Sequence, residues 1–66
     1  MNELIGNTAG RVWQYLSDNG PTTILKLKSA LEVSNGLLHL SLGWLSLEDK
    51  IELIEHGHTY KVAQIH

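Results

Sequence analysis

The chain has no cysteine and no phenylalanine, and only one proline and one methionine among its 66 residues. Without cysteine there is no disulfide, no Cys-type zinc site and no thiol nucleophile. No apolar run approaches the ~20 residues of a membrane span. The opening Met-Asn-Glu-Leu-Ile-Gly lacks the basic start and apolar stretch of a secretory leader, so a cytoplasmic protein is the expectation. Positive charge is also scarce. Five Lys and Arg stand against seven Asp and Glu, a net charge of −2. Basic domains are the usual signature of a nucleic-acid partner, and this balance runs the other way.

What is present is the material of a folded domain. The composition, 42% hydrophobic and 18% charged, is not that of a disordered segment. Sixty-six residues allow one domain, spanning 1–66, with one small core. Chains of this size are marginal, and without disulfide or metal the common remaining support is oligomerisation. The charge is unevenly spread. Residues 1–28 hold Arg11, Lys26 and Lys28 against Glu3 and Asp18, a net +1, and residues 29–66 carry a net −3.

The hydrophobic period divides the chain into three helices and a hairpin. Asn7 or Thr8 can cap a first helix, with Leu4 and Ile5 ahead of the cap as a hydrophobic staple. Ala9, Val12, Trp13 and Leu16 then fall on one helical face. Asn19-Gly20-Pro21 stops that helix, because glycine accepts the left-handed position and proline cannot continue. Thr23 is a good N-cap for a short second helix with Ile24, Leu27 and Leu31 inward. Glu32-Val33 is a turn, and Ser34 caps a third helix that ends near Asp49-Lys50.

That third helix has two apolar sides. At ~100° per residue, Leu38, Leu42 and Leu45 form one stripe. Leu37, Leu40, Trp44 and Leu47 form another, well over 90° away. From Ile51 the period changes to two. Residues 51–55 and 58–62 read as strands joined by a His56-Gly57 turn. That register pairs Leu53 with Tyr60 and Ile51 with Val62 inside, and Glu52 with Lys61 outside.

This order, with Gly20-Pro21-Thr22-Thr23-Ile24-Leu25-Lys26-Leu27 opening the second helix, Ser34 capping the third, and Leu42-Gly43-Trp44-Leu45 leading into Glu48-Asp49-Lys50-Ile51, resembles the winged helix-turn-helix superfamily. The resemblance covers nearly the whole chain. It is closest to small stand-alone bacterial winged-helix domains with no assigned function. It implies an α+β fold, three helices followed by a two-stranded C-terminal wing. It also implies DNA binding of the transcription-regulator type, often by homodimers.

Two functions from different classes are therefore expected. In the first, the third helix enters the major groove of double-stranded DNA. Asn35, His39 and Ser41 would stand nearest the bases, and Lys26, Lys28, Lys50 and Lys61 would meet phosphates, with Arg11 a further cation. In the second, the domain is a protein-interaction or dimerisation module that does not bind DNA. Its contact surface is then Leu37, Leu40, Trp44 and Leu47. DNA readers of this superfamily usually carry Arg, Lys, Gln or Asn on the outer face of the third helix, and this helix has no Lys or Arg.

Catalysis is not expected. Neither Ser17 with Asp18 nor Ser34 with His39 makes a triad, and a domain this small has little room for the ~300 Å3 pocket of a typical site. Gly6, Gly10 and Gly20 do not have the spacing of a phosphate loop. His56 and His58 flank Gly57 and His66 ends the chain. With Glu55 the one nearby carboxylate, no tetrahedral metal set is complete. No cofactor, metal or small-molecule substrate is expected.

Overall fold

The computed structural model describes residues 2–65; His66 lies outside the described residues. Three helices and three short strands follow in the order α1 (Asn2–Asn19), β1 (Thr22–Thr23), α2 (Ile24–Leu31), α3 (Asn35–Leu47), β2 (Ile51–His56) and β3 (Thr59–Gln64). The three helices and the antiparallel C-terminal hairpin match the α+β expectation.

Helix α1 begins earlier than its capping residues suggest. It runs from Asn2, so Leu4 and Ile5 lie inside the helix and not ahead of it as a staple. The reason is periodic. Ile5, Ala9, Val12 and Leu16 recur at helical spacing on one face, so the apolar stripe extends a full turn toward the N-terminus. Leu4 falls off that stripe and stays 54% exposed. The stop is as expected. Gly20 adopts φ +79, and its N–H reaches the Leu16 carbonyl at 2.8 Å.

Both expected caps form. Thr23 accepts a hydrogen bond from the Lys26 N–H at 3.1 Å, and Ser34 from the Leu37 N–H at 3.2 Å. The ends of α2 and α3 are less economical. Each is followed by a left-handed residue that is not glycine, Glu32 with φ 54 and Asp49 with φ 56. After α3 the Asp49 N–H bonds to the Ser46 carbonyl and the Lys50 N–H to the Leu45 carbonyl, each at 3.0 Å. This is the Schellman arrangement, usually built on glycine. At α2, the Arg11 guanidinium donates to the Leu31 carbonyl at 2.8 Å, which ties α1 to the open end of α2.

The sheet differs from the two-stranded expectation. Its order is β1-β3-β2, with Thr22 opposite Val62 and Thr23 opposite Lys61. Two residues are too few to show a period of two, so β1 left no pattern to read. The hairpin register also moves by two residues. Leu53 faces Val62, Ile51 faces Gln64 and Ile54 faces Lys61, so the expected Leu53–Tyr60, Ile51–Val62 and Glu52–Lys61 pairs do not form. The turn is Gly57-His58, not His56-Gly57. Gly57 has φ +64 at the first central position, the place a type II′ turn gives to glycine. A two-residue slip preserves the alternation, and Ile51 and Val62 point into the core, but Leu53 and Tyr60, also expected inside, are each 47% exposed.

The core gathers Ala9, Val12 and Leu16 from α1, Leu27 and Leu31 from α2, Leu38, Leu42 and Leu45 from α3, and Ile51 and Val62 from the sheet. Trp13, Tyr15, Ile24 and Val33 pack at its edges. Gln64 fastens β3 to α1, donating to the Trp13 carbonyl at 3.1 Å and to Ser17 Oγ at 2.8 Å.

The two left-handed side chains give a direct test. A residue with a Cβ in that conformation costs roughly 1–2 kcal/mol, part of which glycine returns as unfolded-state entropy. Asp49→Gly and Glu32→Gly are each expected to stabilise the domain by about 0.5–1 kcal/mol, raising Tm by a few degrees. Urea titration followed by circular dichroism measures this.

Candidate interaction surface on the third helix

The orientation of α3 follows from its buried stripe. Leu38, Leu42 and Leu45 are 0–4% exposed. The opposite side of the helix then points away from the domain. Along that side run Gly36, Leu40, Gly43 and Leu47, all exposed. Leu40 is 55% and Leu47 88% exposed. His39 and Ser46 flank this ridge on one side, Leu37 and Trp44 on the other. Leu37 is half-buried and Trp44 is 42% exposed. The four apolar residues expected to form a second face therefore share one side of α3, with Leu40 and Leu47 at its crest.

Trp44 also forms one wall of a groove between α1 and α3. This groove, of about 210 Å3, is lined by Gly6, Ala9, Gly10, Trp13, Trp44, Leu45 and Lys50. Trp13, Trp44 and Leu45 give this groove its apolar and aromatic side chains, with Lys50 at its margin.

The residues expected to read bases fare differently. Asn35 is exposed at the start of α3. His39 is exposed with Nδ1 at 2.7 Å from the Asn35 carbonyl. A carbonyl only accepts, so this contact places a proton on Nδ1. Ser41 is not on the surface. It is 0% exposed, and its Oγ donates to the Leu37 carbonyl at 2.9 Å and lies 3.4 Å from the Ile5 carbonyl of α1. Its small side chain sits where α3 packs against α1, so it belongs to the interior and drops out of any reading set.

The cations stand off α3. Lys26 and Lys28 are on α2, Lys50 follows α3 and Lys61 is on β3. Lys28 and Lys61 are half-buried. Arg11 donates one of its N–H groups to the Leu31 carbonyl and stays exposed and charged. Glu48 and Asp49 follow α3 directly, as Lys50 then does, and Glu52 and Glu55 lie on β2.

The glycines on α3 were not singled out by sequence reasoning. A glycine inside a helix costs about 1 kcal/mol relative to alanine. Such a cost is usually explained by a close neighbour. Here a Cβ added at Gly36 or Gly43 would meet nothing within 4 Å. The signal was available in the spacing, since these glycines alternate with Leu40 and Leu47 along one side.

One expectation about cavities needs correction. An open cleft of about 560 Å3 lies at the end of α1, lined by Leu16, Ser17, Gly20, Pro21 and Gln64. It exists because α1 stops at Gly20 and β3 approaches through Gln64. Its lining contains no acid, base or histidine, and the Ser17 hydroxyl already accepts from Gln64. Among the described residues, no group of three or more His, Asp or Glu could hold a metal ion. No described helix is long and apolar enough to cross a membrane.

A family described as winged helix-turn-helix domain (DUF2582) matches residues 1–64. The chain belongs to this family. The family supplies a generic DNA-binding type of fold. No curated protein and no solved structure matches the chain.

The two sides of α3 should separate under truncation. Leu38→Ala is expected to destabilise the domain by about 2–5 kcal/mol, as core leucines do. Leu47→Ala, on the crest, should change the stability of the monomer by less than about 0.5 kcal/mol. Denaturant unfolding at low protein concentration compares them.

Proposed function

We propose that this winged helix-turn-helix domain is a protein-association module, which uses the outer face of α3 to meet another protein. The observation that carries this reading is the exposure of Leu40 and Leu47, 55% and 88%, on a helix without a cation. Covering Leu47 alone would contribute up to about 2 kcal/mol. Isolated surface leucines need no explanation, but a contiguous apolar side on a small monomer marks an interaction surface.

The same face suits DNA poorly. Base edges in the major groove present mostly hydrogen-bonding groups, and leucines pressed against them would leave those groups unsatisfied. Glu48 and Asp49 at the end of α3 would face phosphate repulsion.

DNA binding of the transcription-regulator type is the second reading, favoured by the family fold and by exposed Asn35 and His39 at the start of α3. Lys26, Lys28, Lys50 and Lys61 would then carry the phosphate contacts. With Arg11 as a fifth cation, five contacts limit the slope of log affinity against log salt to about −4.5.

A fluorescence-anisotropy titration of random-sequence duplex at low salt separates the readings. The protein-association reading expects no binding. Binding that weakens steeply with salt, and that Lys26→Ala with Lys28→Ala reduces at every sequence, would overturn it. Leu40→Glu is expected to leave the circular-dichroism spectrum unchanged, because the side chain it replaces is exposed.

A further inference from the structure

Four residues on the crest of α3 follow a stricter pattern than apolarity requires. Gly36, Leu40, Gly43 and Leu47 are spaced by four, three and four. That is the a/d spacing of a coiled-coil seam, with leucine at every a and glycine at every d. Glycine is the poorest helix former after proline, and neither glycine is held in place by a neighbour, since a Cβ at each would meet open space. Gly6 and Gly10 of α1 are equally open; Gly36 and Gly43 differ in their place on a ridge with the exposed Leu40 and Leu47.

We infer that the occupant of this surface is a second copy of the chain, with α3 packed antiparallel on α3 about a two-fold axis. The inference rests on the protein-association reading and adds the partner and its register. In an antiparallel pair each a position lies against a d position of the other helix. Leu40 then seats over Gly43 of the second copy, and Leu47 over its Gly36. Every leucine meets a glycine, and the ridge is complementary to itself, as a two-fold interface requires. A parallel pair would set leucine against leucine and glycine against glycine, alternating crowding with voids that close packing disfavours.

The flanks agree with this arrangement. Leu37 and Trp44 lie on one edge of the ridge and meet their counterparts across the axis. His39 and Ser46 line the other edge. No residue from Asn35 to Leu47 is an acid, Lys or Arg, so the axis brings no such charge against its own copy. A 13-residue helix is about 20 Å long. The covered area is on the order of 500 Å2 per copy, the size of a large surface patch and below the ~800 Å2 per partner of standard interfaces. A micromolar dimer is the scale to expect.

Sedimentation equilibrium across micromolar to millimolar concentrations tests this, using the full chain. The expected result is a reversible monomer–dimer equilibrium. Gly43→Gln should weaken it at least about tenfold, because glutamine cannot fit beneath a leucine. Measured dilute, the same variant should melt no lower than the parent, because glutamine is the better helix former. Asn35→Cys introduces the chain's single thiol for a spin label. The inferred register puts the axis between residues 41 and 42, so two labels stand roughly 20 Å apart along the helices. A parallel pair would bring them to about 10 Å, the interhelical spacing. A monomer at every concentration, a dimer indifferent to Gly43→Gln, or the shorter label distance would each overturn the inference. None of these results is a DNA-binding result. DNA binding in the anisotropy titration would instead overturn the association reading beneath it.

Discussion

The packing of Leu38, Leu42 and Leu45 against α1 and the sheet sets the rotation of α3, and most other features of the surface depend on that rotation. Once these three are inside, Ser41 must turn toward α1, where its hydroxyl bonds to the Leu37 carbonyl and approaches that of Ile5. Gly36, Leu40, Gly43 and Leu47 must turn outward. Rotating α3 by about half a turn to hide Leu40 would carry Leu38, Leu42 and Leu45 out of the core instead. The helix has more apolar residues than one side can bury, so one set of leucines stays outside in the monomer.

This surplus separates the architecture from the activity its fold suggests. The winged-helix frame presents α3 to a partner whatever that partner is. The side chains on the presented face decide what it can be. Here they are leucine, tryptophan and glycine, with Glu48, Asp49 and Lys50 after the helix and the other lysines on α2 and β3. The fold aims a surface, and the exposed leucines on it are the ground for the proposed apolar contact. Family membership shows the frame alone, and the residues of α3 argue for the use.

Much of the frame was legible in the sequence because it rests on local chemistry. Thr23 and Ser34 are recognisable caps, Gly20-Pro21 is a recognisable stop, and the two stripes of α3 follow from counting. What could not be read depends on nonlocal or very short features. Strand β1 is two threonines recruited by β3, with no periodicity of its own. The start of α1 was hidden because Asn7 and Thr8 look like caps, while Ile5 continues the apolar stripe beyond them. The hairpin register turned on whether Gly57 stands first or second in its turn, which one glycine between two histidines does not reveal. The site shows the same division. Leu40 and Leu47 were legible as a second side. Ser41 was misplaced because counting angles alone does not show that α1 packs over that flank. Gly43 was legible only as a residue between the two stripes, because a glycine has no side chain to assign to a face.

The measurement that bears most directly on the role of α3 is a dilution series of amide chemical shifts by nuclear magnetic resonance, from millimolar to micromolar protein. If the outer face of α3 is the association surface, the shifting resonances will be those of Gly36, Leu40, Gly43 and Leu47, with the Trp44 indole among them, while α2 and the tip of the wing stay still. Shifts centred on the wing or on α2, or a spectrum that does not change with concentration and then responds to duplex DNA along α3, would contradict the account.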